Sequence, residues 1–160
     1  MVWLGVDLGD ARVGLALSDP ELTLAHPAGN IRVYGDSFQA LDDVIGVIED
    51  ESVERVVVGL PLQLDGTEGK SAKKARRWAA NLARRMQDYI DAGECAVAQV
   101  PDIVLLDERL TTVSAHRQLH EAQVSGRRHR PVVDQQSAVV ILQSALDGNE
   151  WTEDGERTIG

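Results

Sequence analysis

The chain has 160 residues, a formal net charge of −10 and a single cysteine, Cys95. This length suits one domain with a full hydrophobic core, and a lone cysteine excludes an internal disulfide and fits a reducing, cytoplasmic compartment. No apolar run is long enough to cross a bilayer, and the chain enters a strand at once, so we expect neither a membrane anchor nor a signal peptide.

The charges are unevenly distributed along the chain. Of the 16 lysines and arginines, seven fall within residues 70–85 and three more within residues 127–130. The acidic residues concentrate in residues 36–54 and in the tail from Asp147 onward. This distribution predicts a basic face on an acidic body, so the negative net charge does not exclude a nucleic acid partner.

The first predicted element is a buried strand that contains a carboxylate. Residues 3–8 are apolar on both faces except for Asp7. Gly9 and Asp10 then supply a tight turn, and a second strand follows at residues 13–17. A buried charge without a partner is costly, so we expect Asp7 to contact a partner or a metal ion. The structural alternative is an aspartate that accepts hydrogen bonds from the backbone of the turn.

The remaining elements follow from hydrophobic periodicity and turn residues. Pro27 marks the third strand as an edge or bulged strand, and helical spacing of apolar residues separates the helices from the strands. In chain order, we predict a strand at 22–33, a helix at 37–48 capped by Asp36 or Ser37, a strand at 53–60, a helix at 71–89, a linker at 91–101, a strand at 103–106, a short helix from Thr111 or Thr112, and a last helix that Asp134 opens.

This order predicts an α/β fold of the ribonuclease H-like class. Three consecutive strands favour an antiparallel meander, and the strand–helix–strand crossovers impose parallel pairing and cover both faces of the sheet. We therefore expect a mixed five-stranded sheet with helices on both faces. A single domain of this ribonuclease H-like class is predicted over residues 1–147, followed by an acidic, disordered tail at residues 148–160.

Acidic residues occur at three places that such a fold directs towards one edge of the sheet. Asp7 ends the first strand, Asp107 and Glu108 end the last, and Asp134 begins the final helix. Because side chains alternate along a strand, only one of Asp107 and Glu108 should face Asp7, and Glu108 has the longer reach. Each acid also has a structural alternative, and for Asp134 it is a helix N-cap.

Oxygen ligands of this kind suit Mg²⁺ or Mn²⁺ and not zinc. Two such ions about 4 Å apart activate water and stabilise the leaving oxygen in phosphodiester cleavage. A second metal-ligand spacing joins His116 and His120, but no glutamate follows His116 as in zinc proteases, so a metal role there is disfavoured.

A glycine-rich loop at residues 64–69 leads into the basic helix, and a helix N-terminus is a natural phosphate site. The structural alternative is a merely solvated basic face. The residues that we expect to contact nucleic acid, as one positive rim beside the carboxylates, are Arg12, Lys70, Lys73, Lys74, Arg77, Arg127, Arg128 and Arg130.

With these residues assembled, the chain resembles the YqgF/RuvX family of Holliday junction resolvase-like proteins and nucleases that mature the 5′ end of small-subunit ribosomal RNA. The matching stretches are GVDLGDARVGLALS at 5–18, VVGLPLQLDG at 57–66, LDERLTTV at 106–113 and DQQSAVVILQ at 134–143. The resemblance implies divalent-metal phosphodiester hydrolysis in the cytoplasm, with Mg²⁺ or Mn²⁺ held by Asp7, Glu108 and Asp134. Asp107 and Arg109 belong to the same motif and are secondary candidates.

The predicted function is ribosomal RNA processing in ribosome biogenesis, with structured RNA as the partner. The alternatives are a Holliday junction resolvase on branched DNA and a nucleic-acid-binding module without catalysis. Resolvases related to RuvC carry an acid on the middle strand, where this chain has the apolar residues 56–60, which favours RNA. The hairpin after Asp7 also resembles the phosphate loop of actin-like ATPases and sugar kinases, but those enzymes need two such domains. Monomer and homodimer both stay open.

Overall fold

The computed structural model describes residues 1–111 and 130–148, apart from the side chains of Leu110 and of residues 130–135. Among the described residues, no helix is both long and apolar enough to span a membrane. The predicted short helix with His116 and His120, the basic residues Arg127 and Arg128, and the tail from residue 149 lie outside the described residues. The division into one domain and a tail therefore stays a prediction.

The described residues form five strands and three α-helices, and most of the predicted bounds agree to within a few residues. Asp36 caps a short 3-10 turn at Ser37–Ala40 that leads into the first helix, and its Oδ1 accepts a hydrogen bond from Phe38 N at 2.9 Å. The elements are β1 (Val2–Leu8), β2 (Arg12–Ser18), β3 (Ala25–Arg32), α1 (Leu41–Glu51), β4 (Val53–Leu60), α2 (Lys70–Asp91), β5 (Asp102–Asp107) and α3 (Arg130–Leu146).

The five strands form one mixed sheet in the order β3-β2-β1-β4-β5. β1 pairs antiparallel with β2, and β2 with β3, whereas β1–β4 and β4–β5 are parallel pairs. The prediction of a ribonuclease H-like sheet is thus confirmed. Pro27 lies on the edge strand β3, next to the point where the register with β2 shifts between Leu15 and Ala16. Proline has no N–H donor for a strand ladder, so edge strands and bulges are the places where it is tolerated.

The helices cover both faces of the sheet, as predicted. On one face, α1 and α2 pack against Leu4, Val6 and Val58, and the predicted stripe of α2 is buried there. The indole of Trp78 is fully buried and donates a hydrogen bond to Ser37 O at 2.9 Å. Among the described helices, α3 is the one that packs on the opposite face.

Close approach of α3 to the sheet depends on Gly5 in β1. A Cβ at Gly5 would lie 2.7 Å from the Cβ of Leu142 and 2.8 Å from the carbonyl oxygen of Ala138. Because residues two apart share a face of a strand, Asp7 lies on the same face as Gly5, the face that α3 covers.

The direction of α3 follows from hydrogen bonds at its C-terminal half. The side chain of Gln143 accepts from Ala25 N and donates to Thr23 O, both at 2.9 Å. Ala25 begins β3 and pairs with Ser18, whose hydroxyl in turn accepts from Trp3 N at 2.9 Å at the beginning of β1. The helix therefore runs antiparallel to β1, and its N-terminal turns lie towards the carboxyl end of β1.

Candidate active site

Asp7 lies between two glycines in the centre of the sheet. Its side chain is only 2% exposed. It pairs with Gly14 of β2, and the parallel register that joins Val6 to Val58 places Gly59 beside it in β4. Because neither neighbour has a side chain, the sheet face next to this carboxylate is open to groups from other elements.

Glu108 is one such group. It follows β5 directly and is 2% exposed. Its carboxylate lies over Gly59, where an added Cβ would overlap Glu108 Oε2 and lie 3.1 Å from Glu108 Cδ. Since Gly59 separates β5 from β1, the structure brings the carboxylates of Asp7 and Glu108 to the same face and edge of the sheet.

Asp107 points to the opposite face. Leu106 packs on the side of α3 and Leu105 on the side of α1 and α2, so alternation directs Asp107 away from Asp7. Its carboxylate pairs with Arg109, with Oδ2 2.7 Å from Nη2, and accepts from Arg109 N at 2.9 Å. This hydrogen bonding, followed by charge attraction, raises the pKa of the Arg109 guanidinium.

Arg109 joins this strand end to the glycine-rich loop. Gly66 has a positive φ of 90°, which favours glycine, and a Cβ there would lie 3.1 Å from Arg109 Nη1, so the guanidinium packs closely against this residue. The neighbouring Asp65 accepts a hydrogen bond from the Thr67 hydroxyl at 2.7 Å, which lowers the pKa of that carboxyl. Arg109 thus connects the LDG motif at residues 64–66 with the DER motif at residues 107–109.

The third predicted acid, Asp134, lies on α3. The helix begins at Arg130, so four helical residues precede Asp134, and the predicted helix start and the N-cap alternative are both wrong. Asp134 is one turn before Ala138, towards the carboxyl end of β1. Its side chain lies outside the described atoms, and the described side chains alone form no group of three potential metal ligands. The three-acid metal centre therefore stays a prediction.

The first turns of the basic helix α2 lie beside Glu108. A small cavity of about 50 Å³ is lined by Gly59 and Glu108 on one side and by Ser71 and Lys74 of α2 on the other. The ammonium group of Lys74 is 3.7 Å from the carboxylate of Asp10. The spacing of the four predicted basic residues of this helix places them on one helix face: Lys70, Lys73, Lys74 and Arg77.

Gly59 is the site feature that the sequence analysis missed. The available signal was a glycine at the end of an otherwise buried strand, which marks a close approach of another group. We expect Gly59→Ala to destabilise the protein by about 1–3 kcal/mol, the usual cost of overpacking, because the methyl group would overlap Glu108 and lie 2.7 Å from Ile141 Cδ1. Cleavage should fall as well, since the Glu108 carboxylate is displaced.

Denaturant unfolding and a cleavage assay of the same preparation measure both effects. Gly46→Ala in α1 is the matched control, because a Cβ there meets nothing within 4 Å. That control should be more stable by about 0.5–1 kcal/mol with unchanged activity. A Gly59→Ala protein with wild-type stability and cleavage would show that Gly59 is not needed for the position of Glu108.

The sheet order and the two buried strand-end carboxylates define the class of this protein as a ribonuclease H-like α/β domain with a candidate carboxylate site. The model of the RuvX family, described as a Holliday junction resolvase, matches residues 1–148. The chain belongs to this family.

Curated relatives match over nearly the whole chain. A Bifidobacterium adolescentis protein named "Putative pre-16S rRNA nuclease" is 71% identical over 147 residues, 92% of this chain and 97% of its own length. A Nocardioides protein of the same name is 44% identical, over 94% of this chain and 90% of its own. Among solved structures, Thermus thermophilus RuvC in complex with a Holliday junction substrate matches with a TM-score of 0.49 and 16% identity, over 92% of this chain and 94% of that chain.

Proposed function

We propose that this protein is a metal-dependent nuclease that hydrolyses phosphodiester bonds in the 5′-end maturation of the small-subunit ribosomal RNA precursor. The observation that carries the proposal is a pair of buried carboxylates at the carboxyl ends of the strands: Asp7 lies beside Gly59, and Glu108 lies over Gly59 on the same face. Membership of the RuvX family and the name of the 71% identical relative support the same activity. We place this activity in the cytoplasm, as the single cysteine suggests.

The donor set fits a divalent metal ion. Two carboxylates that are 2% exposed offer oxygen ligands at one place, as Mg²⁺ and Mn²⁺ prefer. We propose that Asp7, Glu108 and Asp134 hold the metal, Asp134 from the N-terminal half of α3. A bound divalent ion would supply an activated water and stabilise the charge on the leaving oxygen. Asp107 has a different role, because it holds Arg109 against the glycine-rich loop.

Substrate phosphates are proposed to bind along the basic face of α2 beside this site. Lys74 lines the same cavity as Glu108, and the lysines and arginine on its helix face extend that positive surface. Arg12 begins β2 at the same edge of the sheet. Arg127, Arg128 and Arg130 complete the proposed rim, although their side chains are outside the described atoms.

The test of this rim is a charge reversal in its centre. We expect Lys73→Glu/Lys74→Glu to weaken binding to all oligonucleotides and to flatten the plot of log affinity against log salt by about 0.7 per lost phosphate contact on a single strand. The matched control is Arg84→Glu/Arg85→Glu, which makes the same charge change three turns further along α2. A salt titration on one RNA oligonucleotide compares them. Equal slopes of log affinity against log salt for the two variants would show that the proposed rim is an ordinary solvated surface.

The activity itself is tested by incubating the full chain with ribosomal precursor RNA and with a four-way DNA junction, each with and without Mn²⁺. We expect metal-dependent cleavage of the RNA near the mature 5′ end. Cleavage of the junction alone would favour the resolvase function that the family description names. Binding without cleavage would indicate a non-catalytic module, and ATP turnover without nucleic acid cleavage would indicate the kinase-like alternative.

A further inference from the structure

Two arginines lie side by side at the end of the sheet where β1 finishes and Asp7 lies. Arg12, the first residue of β2, is the register partner of Arg32, the last residue of β3. Gly14 and Asn30 form the next pair on the same face, and Gly14 in turn pairs with Asp7. By strand geometry, the Cα atoms of Arg12 and Arg32 are about 8 Å and about 12 Å from that of Asp7.

This arginine pair lacks an acidic partner among the described residues. The two acids closest in sequence have other contacts, since Asp10 is 3.7 Å from Lys74 and Asp36 accepts from Phe38 N. Like charges directly opposite each other on a sheet destabilise it. A phosphate between the two guanidinium groups would remove this repulsion and receive charge-assisted hydrogen bonds.

An exposed aromatic ring lies next to this pair. Tyr34 is 77% exposed, and the Cζ atom of Arg32 lies 5.7 Å from the centre of its ring. The backbone on both sides is hydrogen-bonded, because Val33 N donates to Ala11 O at 2.9 Å and Gly35 N donates to Asp10 O at 3.1 Å. Tyr34 N itself donates to Gln39 Oε1 at 2.9 Å. The ring is therefore presented to solvent from a well-anchored strand end. Aromatic and guanidinium planes at solvent-exposed sites stack on unpaired bases.

We propose that Arg12, Arg32 and Tyr34 form a nucleotide-binding subsite for a single-stranded segment of the substrate. The two guanidinium groups bind one phosphate of this segment, and Tyr34 stacks on an adjacent base. The subsite rests on the proposed nuclease function and extends it, because it continues the proposed rim from Arg12 to β3, on the side of Asp7 away from α2. Tyr34 and Arg32 are positioning residues, and they act on binding without taking part in bond cleavage.

The binding test uses a short, labelled single-stranded RNA and a set of copies that each lack one base, with a chelator present to prevent cleavage. We expect Tyr34→Ala to weaken binding about 5- to 150-fold, the range for loss of one stacked base, and Tyr34→Phe to bind like the wild type. One abasic position should weaken wild-type binding and have little further effect on Tyr34→Ala. Arg32→Gln should flatten the salt dependence by about 0.7.

A stability measurement separates this role from a structural one. We expect Arg12→Gln to raise Tm by about 1–4 °C, because it relieves the like-charge pair, while it weakens RNA binding. The matched control is Arg55→Gln, since Arg55 lies 4.8 Å from the ring centre of Trp3 at the opposite edge of the sheet. Its RNA affinity should equal that of the wild type.

The outcomes distinguish the subsite from the nuclease function when Mn²⁺-dependent cleavage is measured in parallel. Wild-type cleavage together with unchanged RNA affinity of Tyr34→Ala and Arg32→Gln overturns the subsite alone. Weakened binding by these variants, with no cleavage by the wild type, supports the subsite and overturns the nuclease function. If the wild type neither binds nor cleaves the RNA, both proposals are wrong.

Discussion

Replacement of Asp7 by asparagine should abolish metal-dependent cleavage while the protein stays folded. Asparagine keeps the shape of the side chain between Gly14 and Gly59 but removes the negative charge that a divalent ion requires. Loss of a group that stabilises transition-state charge typically costs about 100-fold or more in rate. We therefore expect the activity of Asp7→Asn to fall by at least this factor on precursor RNA in Mn²⁺.

The stability of Asp7→Asn should not fall with its activity and should stay equal or increase. The Glu108 carboxylate lies over Gly59, the neighbour of Asp7, so we expect the two buried carboxylates to repel each other before a metal ion binds. Asp7→Asn removes that repulsion, and its unfolding midpoint without metal should equal or exceed that of the wild type. Asp102→Asn is the control, because it removes an exposed carboxylate at the opposite edge of the sheet. Undiminished cleavage by pure Asp7→Asn protein would exclude Asp7 from the metal site.

The second large effect is expected at the end of β5, where substitutions of two adjacent acids should have different consequences. Glu108→Gln should lower cleavage about 100-fold or more, because its carboxylate is on the face of Asp7. Asp107→Asn should keep much of the activity and lose stability instead, by about 1–2 kcal/mol after allowance for solvent screening. The reason is the ion pair with Arg109, in which Oδ2 and Nη2 are 2.7 Å apart.

Rates under saturating RNA and denaturant unfolding of both variants separate these effects. The comparison is internally matched, since each variant replaces one carboxylate by its amide within the same two-residue stretch. Equal losses of activity would contradict the assignment of opposite faces to Asp107 and Glu108. A loss of stability in Glu108→Gln as large as that in Asp107→Asn would show that Glu108 also has a structural role.

Most elements of the fold could be predicted from the sequence because each one depends on local periodicity. The strand β4 keeps its predicted bounds, Val53–Leu60, since a run of β-branched residues is sufficient to identify it. The long helix α2 buries the predicted stripe that includes Trp78 and Leu82, because the 3.6-residue period repeats over its whole length. The carboxylate of Asp7 in an apolar strand was also visible from sequence, as an exception to its surroundings.

The arrangement of the site depends on contacts between residues that are distant in sequence, and these only the tertiary structure decided. Sequence alternation separates Asp107 from Glu108, but only the register of β1, β4 and β5 shows that Gly59 leaves the space for Glu108 beside Asp7. The same holds for Arg12 and Arg32, whose pairing results from the β2–β3 register across a shift at Leu15/Ala16. Local patterns thus determined which residues form each element, whereas strand register and close packing at glycines determined which side chains meet.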